Sequence, residues 1–347
     1  MQQGRLFFAA FMLVVLCLLL YLFKSFLLVI SIGCLMAVAT SNINVYFLKL
    51  TKGNKLLASS LTTILVSSFL ILPFLYALIQ IGIMLKNFDY STITNTINYI
   101  KNYHFDLPES MNFIEPKIRE FLSSIDLNSI TRNIFTYISN FTKTGVHVVS
   151  DIALICVFYF FANLYGTQLL LYIKSIVPID KKELGEVLSE VANVMSVVLY
   201  SMILAAILQG LLFSFVIVFF GYDPVLWGIL FAISSMIPVV GGALIYVPLS
   251  IYEFASNNLY AALWILLYSM VVISFLADNF VKPLIIKWIN EKLVKKPTKI
   301  NELLIFLAIL AGISSFGFWG IILGPAILTF FISTIKMYVI LKEKNLV

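Results

Sequence analysis

Apolar residues run along this chain in long, nearly unbroken stretches, separated by short polar clusters in which lysine recurs. The first run covers Leu6 to Phe23 and the second Ser25 to about Leu48, with Lys24 marking a tight turn between them. A third covers about Leu56 to Leu85 and contains Pro73, where a kink is expected because proline lacks the helix-bonding N–H. A fourth spans about Val146 to Ile173, and a fifth about Val191 to Phe220, which Gly221 is suited to close. About 20 predominantly apolar residues reach across the ~30 Å hydrocarbon core of a bilayer, and these runs meet that length. Strands of a membrane barrel would instead alternate apolar and polar positions in runs of about ten. The pattern therefore predicts membrane helices. The first run resembles a signal peptide, but it lacks an Ala-x-Ala-like site and a second run follows at once, so an uncleaved helix is expected.

Two later runs are interrupted. Val225 to Phe254 carries Pro238, Gly241, Gly242 and Pro248 in its middle. Glu302 to about Tyr338 breaks at Gly312-Ile-Ser-Ser-Phe-Gly-Phe-Trp-Gly320, with Gly324-Pro325 just after. Lysine placement decides how to read them. Cytoplasmic loops of membrane proteins are enriched in Lys and Arg. Lys49, Lys52 and Lys55 then mark a cytoplasmic loop, and the segment Lys282 to Lys299 and the trio Lys336, Lys342 and Lys344 belong on the same side. Every cluster satisfies the rule if each interrupted run is a hairpin that returns by its own side, flanking one full helix over about Leu259 to Val281. Each arm of the first hairpin, about 15 residues and so about 22 Å long, would fall short of a full crossing. Both termini are then cytoplasmic.

Residues 86–145 differ in character, being rich in Asn, Thr, Ser and charge, with Phe113, Ile114, Ile118, Phe121, Leu122 and Ile125 at helical spacing. An amphipathic helical insertion outside the cytoplasm is expected there, on the bilayer surface, over a cavity mouth, or as a solvated insertion without direct function. The organisation expected is three helices in 1–85, the insertion in 86–145, a fourth helix in 146–173, a cytoplasmic amphipathic segment in 174–190, a transport core in 191–340 and a tail in 341–347.

Composition sharpens this picture. Hydrophobic residues make up 61% of 347 positions and charged ones 12%, against about 45–50% and about 25% for soluble domains. The surplus apolar surface must face lipid. The formal charge of +6 comes from lysines in short loops between apolar runs, where membrane orientation accounts for them, so nucleic-acid binding gains no support. Cys17, Cys34 and Cys156 sit inside apolar runs as small hydrophobes, and His104 and His147 are too few for a His-based metal site. No Walker, HExxH, GxSxG or dinucleotide fingerprint occurs. The expectation is a protein without enzymatic chemistry, cofactor or bound metal.

Broken helices persist in membranes where they are buried in protein or line a wet cavity, and in secondary transporters such breaks often hold the solute. Ile237 to Gly242 and Gly312 to Gly320 are therefore the leading site candidates, although Gly and Pro also serve close helix packing. Asp278 lies inside an apolar run beside Asn279. It could coordinate a cation, take up a proton, or pair with Lys282 one turn later. Glu253 and Asp151 read as boundary residues at element ends, and Gln209 and Asn163 as formers of interhelical hydrogen bonds.

The C-terminal half resembles a known family. Leu208-Gln-Gly-Leu-Leu, Gly221-Tyr-Asp-Pro-Val-Leu-Trp-Gly228, Ile237-Pro-Val-Val-Gly-Gly-Ala243 with Pro248, Ala277-Asp-Asn-Phe-Val-Lys-Pro283, Leu303 to Gly312, and Phe316-Gly-Phe-Trp-Gly-Ile-Ile-Leu-Gly-Pro325 are similar to the AI-2E family of autoinducer-2 exporters. Order and spacing agree over about Tyr200 to Ile332, while the N-terminal half matches in layout alone. The resemblance implies a permease-like all-α polytopic fold of about eight transmembrane segments, set in the inner membrane, and a homo-oligomer, with a pentamer as the implied size. Motif positions carried over are Gln209, Pro238, Gly241, Pro248, Asp278, Asn279, Pro283, Gly312, Gly317, Gly320, Gly324 and Pro325. Gly242 departs locally, at a position where a small residue suffices.

Some members look like autoinducer-2 exporters and others behave as Na⁺(Li⁺)/H⁺ antiporters. Export of a small polar solute would draw on hydrogen bonds from the hairpin breaks, Gln209, Ser314 and Ser315. Antiport would make Asp278 the Na⁺ or H⁺ site. A third reading is a membrane scaffold that transports nothing, which leaves the two broken hairpins without a purpose.

Overall fold

The computed structural model describes residues 2–86, 127–176, 181–237, 240–292 and 302–343. Every regular element among them is helical. Most of the expected insertion, together with Pro238, the lysine-rich stretch from Leu293 and the last residues of the tail, lies outside the described residues. Among the described residues, five helices are long and apolar enough to cross a membrane, and six if the bent N-terminal pair is taken as one span. Shorter apolar helices, Pro224–Ser235 and Ala243–Ala255, accompany them. The chain is an all-α multi-pass membrane protein.

It divides into two compact units: Met1–Phe69 with Val149–Leu199 and Leu293–Val347, and Leu70–Val148 with Tyr200–Lys292. In the first, α1 (Gln2–Leu22) and α2 (Leu27–Ala39) meet at a turn of 94° between their apolar parts. The second apolar run is not one helix. It breaks at Thr40, and α3 (Ser41–Leu50) follows. Thr40 explains the break locally: its hydroxyl donates to the Met36 carbonyl at 2.7 Å and lies 2.6 Å from the Tyr159 hydroxyl. With the Thr40 proton used on Met36, Tyr159 supplies the second one. Asn44 Nδ2 donates to the Asn163 carbonyl at 3.3 Å, Thr62 Oγ1 lies 3.2 Å from Asn44 Oδ1, and Ser196 donates to the Ala39 carbonyl at 2.8 Å. Such interhelical bonds contribute about 0.6–2 kcal/mol each in membrane bundles. Asn163 also donates to the Tyr159 carbonyl at 2.9 Å, within its own helix.

Helix boundaries depart from the apolar runs in an instructive way. α4 spans Lys55–Lys86, and α5 spans Leu127–Ile176, so the helix expected to begin at Val146 starts well before its apolar part. α6 spans Lys181–Ile217, merging the expected cytoplasmic segment with the fifth apolar run. Rising hydropathy marks where lipid begins, whereas a helix begins where backbone bonding begins. Val218–Phe220 tightens into a 3₁₀ turn, and Gly221 at φ 78° closes it.

In the second unit, α7 (Pro224–Ser235), α8 (Ala243–Ala255) and α9 (Leu259–Tyr268) follow in order. Asp223 caps α7, its Oδ1 accepting from the Val225 and Leu226 amides at 2.9 and 3.3 Å, with Pro224 at the first helical position. Buried Phe213, Phe231, Tyr246, Leu249, Ile265 and Ile273 form the core, and the Phe213 and Phe231 rings stack with centroids 4.5 Å apart. The helix expected over Leu259 to Val281 changes register inside: Ser269–Val281 is π-helical, and α10 (Lys282–Lys292) continues it. In the first unit, α11 (Glu302–Phe316), a 3₁₀ turn at Gly317–Trp319 and α12 (Gly320–Glu343) complete the chain.

Candidate functional site

The first hairpin is broken between α7 and α8, where Gly241 and Gly242 lie. α7 ends at Ser235, and at 12 and 13 residues its two arms reach about 18 and 20 Å, less than a bilayer core. The turn is built on backbone. Ile237 N–H donates to the Ser234 carbonyl at 2.9 Å and Gly241 N–H to the Ile237 carbonyl at 3.0 Å. A Cβ on Gly241 would lie 1.9 Å from the Ser234 oxygen, so no other residue fits without moving the turn. Gly242 rests against the Phe231 ring, where an added Cβ would meet the ring carbon at 3.0 Å. Pro248 lies inside α8, exposed, and its missing N–H leaves the Leu244 carbonyl without that helix bond.

The second hairpin turns at Gly317, whose φ of 61° is in the left-handed region. Its arms run antiparallel in backbone contact. A Cβ on Gly312 would lie 2.1 Å from the Gly320 oxygen, and one on Gly324 would lie 2.0 Å from the Ala308 oxygen. Pro325 is buried within α12, and its carbonyl accepts from the Thr329 hydroxyl at 2.7 Å. Ser314 and Ser315 are exposed at the end of α11. The arms differ: α11 has 15 residues and α12 has 24. At 1.5 Å per residue that is about 22 and 36 Å, so the second arm is long enough to cross alone.

Two singled-out residues meet in the second unit. Buried Gln209 donates from Nε2 to Asp278 Oδ1 at 2.7 Å, and Lys282 Nζ lies 3.5 Å from the same oxygen. Gln209 thus forms the interhelical bond expected of it, and Asp278 forms the ion pair weighed for it. Asn279 donates to the Phe275 carbonyl of its own helix at 2.8 Å. Asp278 and Asn279 both lie in the π-helical stretch, where the Lys282 amide reaches back five residues to the Ala277 carbonyl. Such π segments concentrate at functional sites.

One constellation was missed. Glu253, read from the sequence as a boundary residue, is 8% exposed in the last turn of α8. Asn258 Nδ2 donates to its Oε2 at 2.9 Å, and the Tyr222 hydroxyl contacts its Oε1. Burial, and then the Glu253 carboxylate, holds the Tyr222 hydroxyl well above the ordinary tyrosine range. Beside it, Tyr76 donates to Asp223 Oδ2 at 3.1 Å. A signal existed in the adjacency of Tyr222-Asp223 to a loop and of Glu253 to Asn258, but burial could not be seen. No group of three or more His, Cys, Asp or Glu suited to a metal occurs among the described residues.

The description AI-2E family transporter matches residues 8–340. The chain is 31% identical over 319 residues to a protein of Helicobacter pylori strain J99 named "Putative transport protein", covering 92% of this chain and 91% of that one. A namesake in strain 26695 is 32% identical over 318 residues, again 92% and 91%. One from Aquifex aeolicus is 25% identical over 315 residues, 84% of each chain. With the family's sequence pattern matched over residues 8–340 and relatives at 31 and 32% identity covering 92% of it, the chain belongs to the AI-2E family of transporters.

Proposed function

We propose that this protein is a secondary transporter that exports a small polar solute of the autoinducer-2 class by alternating access, without enzymatic chemistry. It works in a bacterial inner membrane as a homo-oligomer, with a pentamer as the size the family resemblance implies. The observation that carries the reading is the pair of glycine-built hairpin breaks in a chain of a transporter family. Backbone groups released at a helix break hydrogen-bond hydroxyl-rich solutes without needing a charge, and broken helices in membranes persist where such groups find partners.

Antiport of Na⁺ or Li⁺ against H⁺ through Asp278 finds less support. Its Oδ1 already receives the Gln209 amide and faces Lys282, whose positive charge competes with a cation at this carboxylate. The decisive comparison is wild type against Asp278→Asn. In proteoliposomes with labelled autoinducer-2, both should move solute, the variant within about tenfold of wild type because one charge-assisted contact is lost. In everted vesicles with a preformed pH gradient, neither should respond to Na⁺ or Li⁺. A gradient that collapses with cation in wild type alone, with no flux of labelled solute, would make antiport the function. Native mass spectrometry from lipid nanodiscs reads the assembly, and a monomer there would end the oligomer proposal.

A further inference from the structure

The π-helical stretch ends in a way that strands a main-chain acceptor. In α bonding the Asp278 carbonyl would receive the amide of Lys282, and in π bonding that of residue 283. The Lys282 amide goes to the Ala277 carbonyl instead. Residue 283 is a proline and has no N–H to give. Neither register supplies the Asp278 carbonyl. The same proline removes the α-register donor of the Asn279 carbonyl. Proline in the first turn of a helix ordinarily costs little, because no helical carbonyl precedes it. Here α10 is entered from residues that are already helical, and their carbonyls lose that amide.

The side chains at this break supply the matching polar groups. Gln209 Nε2 and Lys282 Nζ both approach Asp278 Oδ1, at 2.7 and 3.5 Å, and Oδ2 is the acceptor they leave over. An ammonium group has three protons, so Lys282 keeps donors beyond the one facing Asp278. Gln209, which holds Asp278 from α6, is 5% exposed, whereas the Asp278 and Lys282 side chains are 43% and 40% exposed. The group is thus anchored on its protein side and open on the other. Charged side chains in membrane segments face a bundle interior or a wet cavity, and released carbonyls persist where they find partners there.

Charge selects the ligand. The carboxylate and the ammonium cancel, so a cation is opposed by Lys282 and an anion by Asp278. A neutral solute bearing hydroxyls meets neither penalty. Its O–H groups donate to the Asp278 carbonyl and to Oδ2, and one of its oxygens accepts from Lys282 Nζ. We infer that the Asp278 main-chain carbonyl, Asp278 Oδ2 and Lys282 Nζ form a binding site for a small neutral solute with adjacent hydroxyl groups. The inference deepens the transport reading and rests on it for its use, giving the solute a contact at the proline-ended π segment in addition to the hairpin breaks.

Pro283→Ala is the informative variant, because it returns an N–H to the helix. If the proline served packing alone, that change would leave solute binding untouched. The test is equilibrium binding of labelled autoinducer-2 and of labelled ribose, a neutral polyhydroxyl probe, to the full-length protein in nanodiscs. Pro283→Ala should weaken binding about threefold to tenfold, the range for losing one hydrogen bond, without lowering Tm. Lys282→Met should weaken it by a similar factor, and Na⁺ or Li⁺ should not compete. Wild-type affinity in Pro283→Ala overturns the site, as does competition by Na⁺ or a wild type that binds neither probe. Should Pro283→Ala fail to fold, wild-type affinity in Lys282→Met overturns it alone. Ribose bound without autoinducer-2 keeps the site and changes the solute. Flux in proteoliposomes separates the two claims. Wild-type flux with KM unchanged in both variants sinks the site and leaves transport standing, whereas the expected binding pattern without flux does the reverse.

Discussion

A methyl group added at Gly312 would lie 2.1 Å from the Gly320 carbonyl oxygen, inside contact distance of an atom that cannot move alone. Gly312→Ala should therefore push the arms of the second hairpin apart and cost about 1–3 kcal/mol, the range for forcing extra volume into a packed contact. Gly166 is the control. It is helical with nothing within 4 Å of an added Cβ, so Gly166→Ala should be neutral or gain about 0.5–1 kcal/mol of helix propensity. Thermal unfolding followed by size-exclusion chromatography should show a lower Tm for the first variant only. Equal effects would mean the close contact carries no energy. At this scale the sequence displayed residue types but not partnerships. Gln209 and Asp278 each stood out as polar residues in apolar surroundings, yet 69 positions separate them and only folding pairs them. Glu253 was passed over because its exposure is decided by Tyr222 and Asn258, not by its neighbours in the chain.

Elements were more legible, for a physical reason. Lipid demands long apolar runs and punishes unsatisfied backbone, so both the spans and the glycine-proline breaks are written in composition. The π-helical stretch was not. Over Ser269–Val281 most side chains are apolar on every face, so a shift from i+4 to i+5 bonding leaves no mark on the pattern. Its bonding geometry does leave a measurable one. Backbone amides of Ser269–Val281 should exchange with deuterium faster than those of Leu259–Tyr268 in nanodiscs, because strained bonds open more readily. Equal protection across the two would mean the register change costs the helix nothing. The break at Thr40 escaped notice for a related reason: one threonine in an apolar run is ordinary, and the Tyr159 hydroxyl that holds it comes from 119 positions away.

For the whole molecule, the right angle near the N-terminus bears on bookkeeping of sides. Transmembrane helices tilt by about 20° on average and rarely beyond about 40°. Two at that limit, leaning in opposite directions, still fall short of the 94° between Ala10–Leu22 and Leu27–Ala39. The pair thus provides one passage through the bilayer or none. With none, Arg5 and the lysines at 49, 52 and 55 share a face, which is the arrangement their common charge favours and which the cytoplasmic N-terminus proposed for this chain requires. With one, they are divided. An epitope placed before Gln2 should accordingly stay protected from protease in intact spheroplasts and become cleavable once the membrane is opened. Cleavage from outside would reverse the parity of the first helix and, with it, the address of every loop counted from that end.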